Sequence, residues 1–229
     1  MALPIRLTER DIRILAWLGR FRAATVHQIS WRFGMGENRA YRRLRQLLDA
    51  GLLRHERLLY GRPGVYLATA DGLAVAELEL PPPQLDIRAY RHDLAVVDLA
   101  IEAELAGEVV VSEREMRSRE AIPNDSASLQ EPLRYAVELA DGGGQRSRRH
   151  FADLLLERAG GRWAVELELG DKRDGRLVAM LRAYRDAAHL AGVLYYAEQE
   201  SLRQRIERLA EQLELGERLD LRRWPASGR

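Results

Sequence analysis

The chain contains no cysteine and only one lysine among 36 basic residues, and no apolar run approaches the roughly 20 residues that cross a bilayer. Without cysteine there are no disulfides, thiolate zinc sites or cysteine nucleophiles, so carboxylates and five histidines are the side chains left to ligate a metal. Without a long apolar run, and with an opening Met1-Ala2-Leu3-Pro4-Ile5-Arg6 that lacks a signal-peptide core, the expectation is a cytoplasmic protein with no membrane partner. The scarcity of lysine singles out Lys172. Arginine stands at the other 35 basic positions. An ammonium is compact and shifts its pKa when buried, whereas a guanidinium stays charged and binds in a planar fork. Lys172 therefore either serves chemistry that needs an amine or is a lysine kept by drift at a helix start.

What is present is ordinarily globular: 229 residues, 46% hydrophobic and 31% charged, enough for two packed domains. The Pro81-Pro82-Pro83 run marks the expected boundary, giving domains at 1–80 and 81–229. The net charge of +1 conceals an asymmetry, because residues 1–76 carry 13 arginines against 6 acids, a charge of +7 that leaves −6 for the remainder. A basic module joined to an acidic one suggests that the first contacts phosphate and that the second holds cations or is simply solvated.

In the first module, Thr8-Glu9-Arg10-Asp11 reads as a helix cap, followed by Ile12, Leu15, Ala16 and Leu18 at near-helical spacing up to Gly19. Thr25-Val26-His27-Gln28 has capping-box spacing and opens a short helix ending near Phe33. Gly34-Met35-Gly36 is a tight turn. From Glu37 to Ala50 a third helix carries Ala40, Leu44, Leu47 and Leu48 on one face and Arg39, Arg42, Arg43 and Gln46 on the other, until Gly51 stops it. Two short helices around a glycine turn, the second studded with arginine, read as a helix-turn-helix. The strand-like runs 52–59 and 65–68 flank Tyr60-Gly61-Arg62-Pro63-Gly64 and make a wing, with Thr69 opening a further helix. Asn38, Arg39, Arg42, Arg43 and Gln46 are the candidate DNA-binding residues of the helix, and Arg62 is the candidate at the wing tip. The alternative is a winged helix used for protein contacts, its arginine face merely solvated.

In the second module, 86–105 reads as a long helix with Leu94, Val97, Ile101 and Leu105 as its buried stripe, and 109–111 as a strand. Polar residues 117–132 read as a surface loop. A strand at 135–139, the turn Asp141-Gly142-Gly143-Gly144, and basic residues 146–150 lead into a strand starting at Phe151. Strands over 154–157 and 163–169, a helix over 173–190, a strand over 193–196 and a charged helix over 200–213 complete the pattern. This order predicts an α/β sandwich around a mixed sheet. His92, His150 and His189 lack ligand spacing and read as packing or capping residues, and Glu102 and Glu113 read as surface acids.

The alternation in Val165-Glu166-Leu167-Glu168-Leu169 puts Glu166 and Glu168 on one face of a strand. With Asp153 on the adjacent strand, three acids would converge and repel one another unless Mg²⁺ or Mn²⁺ bound. Such a metal polarises a phosphodiester and activates water, with Lys172 stabilising the developing charge. Asp153, Glu166, Glu168 and Lys172 are thus the candidate catalytic residues. The alternative is an exposed strand face salt-bridged to nearby arginines.

The helix-turn-helix and wing, Arg91-His92-Asp93, Ser112-Glu113-Arg114-Glu115, the segment 150–156, and Glu166-Leu167-Glu168-Leu169 with Lys172 resemble the replication-relaxation family of actinobacterial plasmids and integrative elements. The resemblance implies a winged helix followed by a PD-(D/E)XK nuclease-like domain. In it Asp153 stands for the motif aspartate and Glu166 for the second acid, the two metal ligands. The chain departs from that pattern at Ala152, where proline is usual, and at Glu168, where lysine is usual; Lys172 would be a migrated replacement. Met180 stands where some nucleases place glutamine, four residues before Tyr184. Three functional readings follow. The first is a duplex DNA-binding protein of a mobile genetic element acting in plasmid replication, with dimerisation or partner proteins of replication, transfer or regulation engaged by its second domain. The second is a Mg²⁺-dependent endonuclease with a degenerate or migrated site. The third is a transcription regulator whose second domain senses a ligand or partner.

Overall fold

In a computed structural model, residues 6–121, 134–140, 147–170 and 174–225 are described. The first element follows from its cap. The Thr8 side chain accepts from the Asp11 amide and the Asp11 carboxylate accepts from the Thr8 amide, and helix α1 (Glu9–Arg20) begins there. Its buried residues are Ile14, Leu15, Trp17 and Leu18, whereas the expected core residue Ile12 is 41% exposed. Thr25 and Gln28 repeat the reciprocal cap and open α2 (Val26–Arg32). Gly34, with φ +58, makes the turn that glycine permits without a Cβ penalty. Helix α3 (Glu37–Asp49) buries Ala40, Leu44 and Leu47.

A short strand β1 (Ala24–Thr25) and the antiparallel pair β2 (Leu53–Glu56) and β3 (Val65–Ala68) form a three-stranded sheet in the order β1-β3-β2. The register pairs His55 with Tyr66 and Glu56 with Val65, so residues 57–64 form the hairpin end. Thr69 caps α4 (Ala70–Val75), whose Gly72 lies so close to Leu52 that a Cβ would sit 2.1 Å from the Leu52 carbonyl oxygen.

The chain divides into two compact units, 1–106 and 107–229, rather than at the proline run. The difference is α5 (Tyr90–Leu105), which belongs to the first unit. Glu104 explains why. Its carboxylate accepts from Trp17 Nε1 at 3.0 Å, from Arg20 Nη1 at 2.6 Å and from Arg32 Nε. Gln28 Nε2 donates to the Leu94 carbonyl and to Asp98, both at 2.8 Å, and the Tyr90 hydroxyl donates to the Pro63 carbonyl at 2.7 Å. The buried stripe also departs from expectation: Val97 and Ile101 are buried, Leu94 is partly buried, and Leu105 is 54% exposed.

The second unit is mixed α/β. A five-stranded sheet runs β10-β9-β8-β7-β4, built from β4 (Val109–Ser112), β7 (Leu154–Arg158), β8 (Gly161–Glu168), β9 (Gly192–Ala197) and β10 (Leu219–Arg223). β4, β7 and β8 pair antiparallel; β9 pairs parallel to β8 and β10 parallel to β9. Each parallel step needs a crossover, supplied by α7 (Asp174–Asp186) and α8 (Glu200–Gln212). Arg218 closes the end of α7, its Nη1 donating to the Arg185 carbonyl at 2.8 Å and its Nη2 to the carbonyls of Ala187 at 2.6 Å and Leu190 at 2.9 Å.

Two sequence expectations are corrected here. The loop expected over 117–132 begins as helix, because α6 (Glu113–Ala121) is opened by a capping box: the Ser112 amide donates to Glu115 at 2.9 Å and the Glu115 amide to Ser112 Oγ at 3.3 Å. The strand expected at 135–139 is β5 (Val137–Ala140). It pairs with β6 (Ser147–His150) as a separate two-stranded ribbon instead of joining the main sheet, and the intervening turn 141–144 lies outside the described residues. No helix among the described residues is long and apolar enough to cross a membrane.

Candidate nucleic-acid interface and acid cluster

The arginines of α3 sort into two kinds. Arg43 turns back into the unit, with Nε donating to Asp11 Oδ1 at 2.6 Å and Nη2 bonding Asp11 Oδ2. It also donates to Gln46 Oε1 at 2.5 Å and to the Arg6 carbonyl at 3.0 Å. Asp11 is 1% exposed. Burial pushes its carboxyl up, but the Arg43 guanidinium and the Thr8 donors outweigh that and hold it below the ordinary carboxylate value. Arg43 is accordingly a brace between α1 and α3, and Gln46 is its outer partner.

Asn38, Arg39 and Arg42 are exposed at the amino-terminal end of α3, where with Gly36 and Glu37 they line a shallow depression. Arg42 Nε donates to the Asn38 carbonyl at 3.3 Å. Neither Arg39 nor Arg42 has an ion-pair partner among the described residues, and the exposed Arg57 and Arg62 of the hairpin end have none either. Sequence reasoning missed Arg57, and it missed Tyr41 and Arg45, two exposed residues of α3 close enough to Tyr66 on β3 to influence its titration. The signal was available: positions 38, 41, 42 and 45 recur at helical spacing opposite the buried 40, 44 and 47.

In the second unit the register does what the alternation predicts. Glu166 pairs with Tyr195 and Glu168 with Ala197 across β8 and β9, so both acids share one sheet face with the Tyr195 ring. Asp153 joins them just ahead of β7; its amide donates to the Val165 carbonyl at 3.1 Å, and its Oδ2 accepts from the Leu167 amide at 2.8 Å. Lys172 lies outside the described residues.

Glu166 is 3% exposed. Its Oε1 meets His150 Nε2 at 2.7 Å and accepts a hydrogen bond from the Tyr184 hydroxyl. His150 therefore bonds an acid of the cluster, a partnership that the sequence spacing did not signal. Burial first, then the Glu166 and Asp153 carboxylates, push the Tyr184 hydroxyl well above its usual range, so it stays a donor. Tyr195 is pushed up in the same way by burial and by Glu166, Glu168 and Asp153, and its buried hydroxyl has no hydrogen-bond partner among the described residues.

Among the described residues no group of three or more acidic or imidazole side chains is placed to hold a metal ion. Asp153 and Glu166 are the two carboxylates to which Mg²⁺ or Mn²⁺ would bind, and each already accepts a protein donor. The pair fits a metal centre less well than it fits a hydrogen-bonded node that ties β8 to α7. Comparison with protein-family models, with curated proteins and with solved structures finds no match to this chain.

Proposed function

We propose that the chain is a duplex DNA-binding protein whose first unit is a winged helix, with α3 entering the major groove and the β2–β3 hairpin as its wing. The observation that carries this reading is the set of exposed arginines without ion partners among the described residues, Arg39 and Arg42 on α3 and Arg57 and Arg62 on the hairpin, within the segment 1–76 of charge +7. Guanidinium groups neutralise phosphates and release counterions, and the same fork reads guanine bidentately. Asn38 offers an amide for adenine, and the amino terminus of α3 favours a phosphate. Such a protein would act on a mobile genetic element, in plasmid replication or its regulation, if the resemblance to the replication-relaxation family holds.

The test is binding of a duplex library by fluorescence anisotropy at several salt concentrations. Arg39→Ala and Arg42→Ala are each expected to weaken binding and to reduce the salt slope by about one counterion per lost phosphate contact. Unchanged affinity and slope in the double variant would overturn the proposal.

A second reading, a Mg²⁺- or Mn²⁺-dependent nuclease with a PD-(D/E)XK-like second unit, draws on the shared sheet face of Glu166 and Glu168 and on Asp153, bonded to the Leu167 amide between them. When bound, the metal would polarise the phosphodiester; Asp153 and Glu166 would hold it, and Tyr184 and His150 orient Glu166. Cleavage of supercoiled or linear DNA that Asp153→Ala abolishes is its expected signature, and intact DNA in both metals counts against it.

A further inference from the structure

We infer that the second unit binds a small organic anion, a phosphate or carboxylate carrying an apolar body, in the cleft between the β5–β6 ribbon and α7. The cleft floor is apolar and made of small side chains, with Ala136 and Val137 from the ribbon side and Val178, Ala179 and Ala183 from α7. Its rim carries charges of both signs. Arg134, Arg149 and Arg182 line it, together with the acids Glu120, Glu138 and Asp186.

The ion pairs settle which charges are available. Glu120 is taken by Arg149 and by the Ala136 amide, which donates to it at 3.2 Å. Asp186 is taken by Arg185 at 2.7 Å. Arg134 and Arg182 have no ion-pair partner among the described residues, which leaves two guanidinium groups on the rim for a ligand.

A second, independent observation points the same way. His189 lines the cleft, and its buried Nε2 has no hydrogen-bond partner among the described residues. Behind it Arg162 donates from Nη2 to the His189 carbonyl at 3.3 Å and rests its guanidinium 5.6 Å from the Tyr135 ring, while its buried Nη1 has no partner among the described residues. Buried nitrogens without partners are rare in folded proteins. His189 Nε2 in the cleft wall, with Arg134 and Arg182 on the rim, is a set that an oxyanion would satisfy with charge-assisted hydrogen bonds. Burial first, then Arg162 and Arg134, against the opposing Glu120, holds the His189 imidazole below its ordinary value, which favours the neutral ring beside the arginines. The aliphatic floor takes the ligand's body, and the arginine rim takes its charge.

The experiment is isothermal titration of the full chain with phenyl phosphate, inorganic phosphate and a short duplex DNA as separate probes. Phenyl phosphate is expected to bind saturably, about tenfold or more tighter than inorganic phosphate because the floor buries its ring. The Arg134→Ala/Arg182→Ala variant, altered at exposed positions, is expected to lose about tenfold or more of that affinity while keeping the wild-type melting profile and duplex affinity. The imidazole resonance of His189, identified with His189→Gln, should shift on titration. Absence of saturable phenyl phosphate binding, equal affinity for the two phosphates, or undiminished binding in the variant would overturn the inference. Loss of duplex binding in the variant with no small-anion binding by the wild type would assign the cleft to nucleic acid instead.

Discussion

Arg42 and Arg43 are adjacent and chemically identical, yet their replacement by alanine should have opposite readouts. Arg43 is bound to a carboxylate that is 1% exposed, and its own side chain is 23% exposed. Removing one partner of a buried pair costs about 3–5 kcal/mol. Thr8 still donates to Asp11 from its amide and its hydroxyl, both at 2.6 Å, and Arg43 is partly solvated, so about 2 kcal/mol is expected here. For a unit of this size that is a fall of roughly 10 °C in midpoint. Arg42 has no such partner, and Arg42→Ala should lie within about 0.5 kcal/mol of wild type while weakening duplex binding. Differential scanning calorimetry of the full chain makes the comparison, and a double-mutant cycle with Asp11→Asn isolates the pair. The transition that moves in Arg43→Ala must also be the one that moves in Glu104→Ala, a change in the same unit. An Arg43→Ala protein that melts with wild type would refute the brace and return Arg43 to the groove-reading set.

Further expectations concern the same buried groups. Because the folded Asp11 carboxyl is held below its ordinary value, its stabilisation is complete above the unfolded value near 4 and is lost as pH falls through the folded one; the gap in melting temperature between wild type and Asp11→Asn should close below about pH 4. Glu104→Ala strands three nitrogen donors and should destabilise the first unit by about 2–4 kcal/mol, measured by urea unfolding. Tyr184→Phe removes the hydroxyl that Glu166 accepts and should cost the second unit about 1–3 kcal/mol by the same assay. Gly72→Ala puts a methyl 2.1 Å from a backbone oxygen, and should destabilise the first unit by about 1–3 kcal/mol in calorimetry.

The helices and the hairpin of the first unit were readable from sequence because each is announced locally, by Thr8 and Thr25 as caps and by Gly34 and Gly51 as turn residues. The shared face of Glu166 and Glu168 was readable for a similar reason, since strand alternation is a property of consecutive residues. What was missed is non-local. The fate of Arg43 depends on Asp11, the allegiance of α5 depends on Glu104 reaching Trp17, Arg20 and Arg32, and the state of Glu166 depends on His150 and Tyr184. Each is a pairing of residues at least 16 positions apart, to which periodicity is blind. The missed start of α6 is different: Ser112 and Glu115 spelled out a capping box, and the polar composition of the residues behind it concealed the signal.

Arg218 carries a consequence for the order of assembly. The carbonyls it seals belong to residues 185, 187 and 190, roughly thirty positions earlier, and the strand it precedes, β10, completes the parallel edge of the sheet. Until Arg218 and β10 have been made, the end of α7 lacks this seal and the sheet lacks its outer strand. A fragment cut anywhere before Arg218 forfeits both the sheet's outer strand and the seal on α7, and should emerge loosened at a helix that the cut itself never touched.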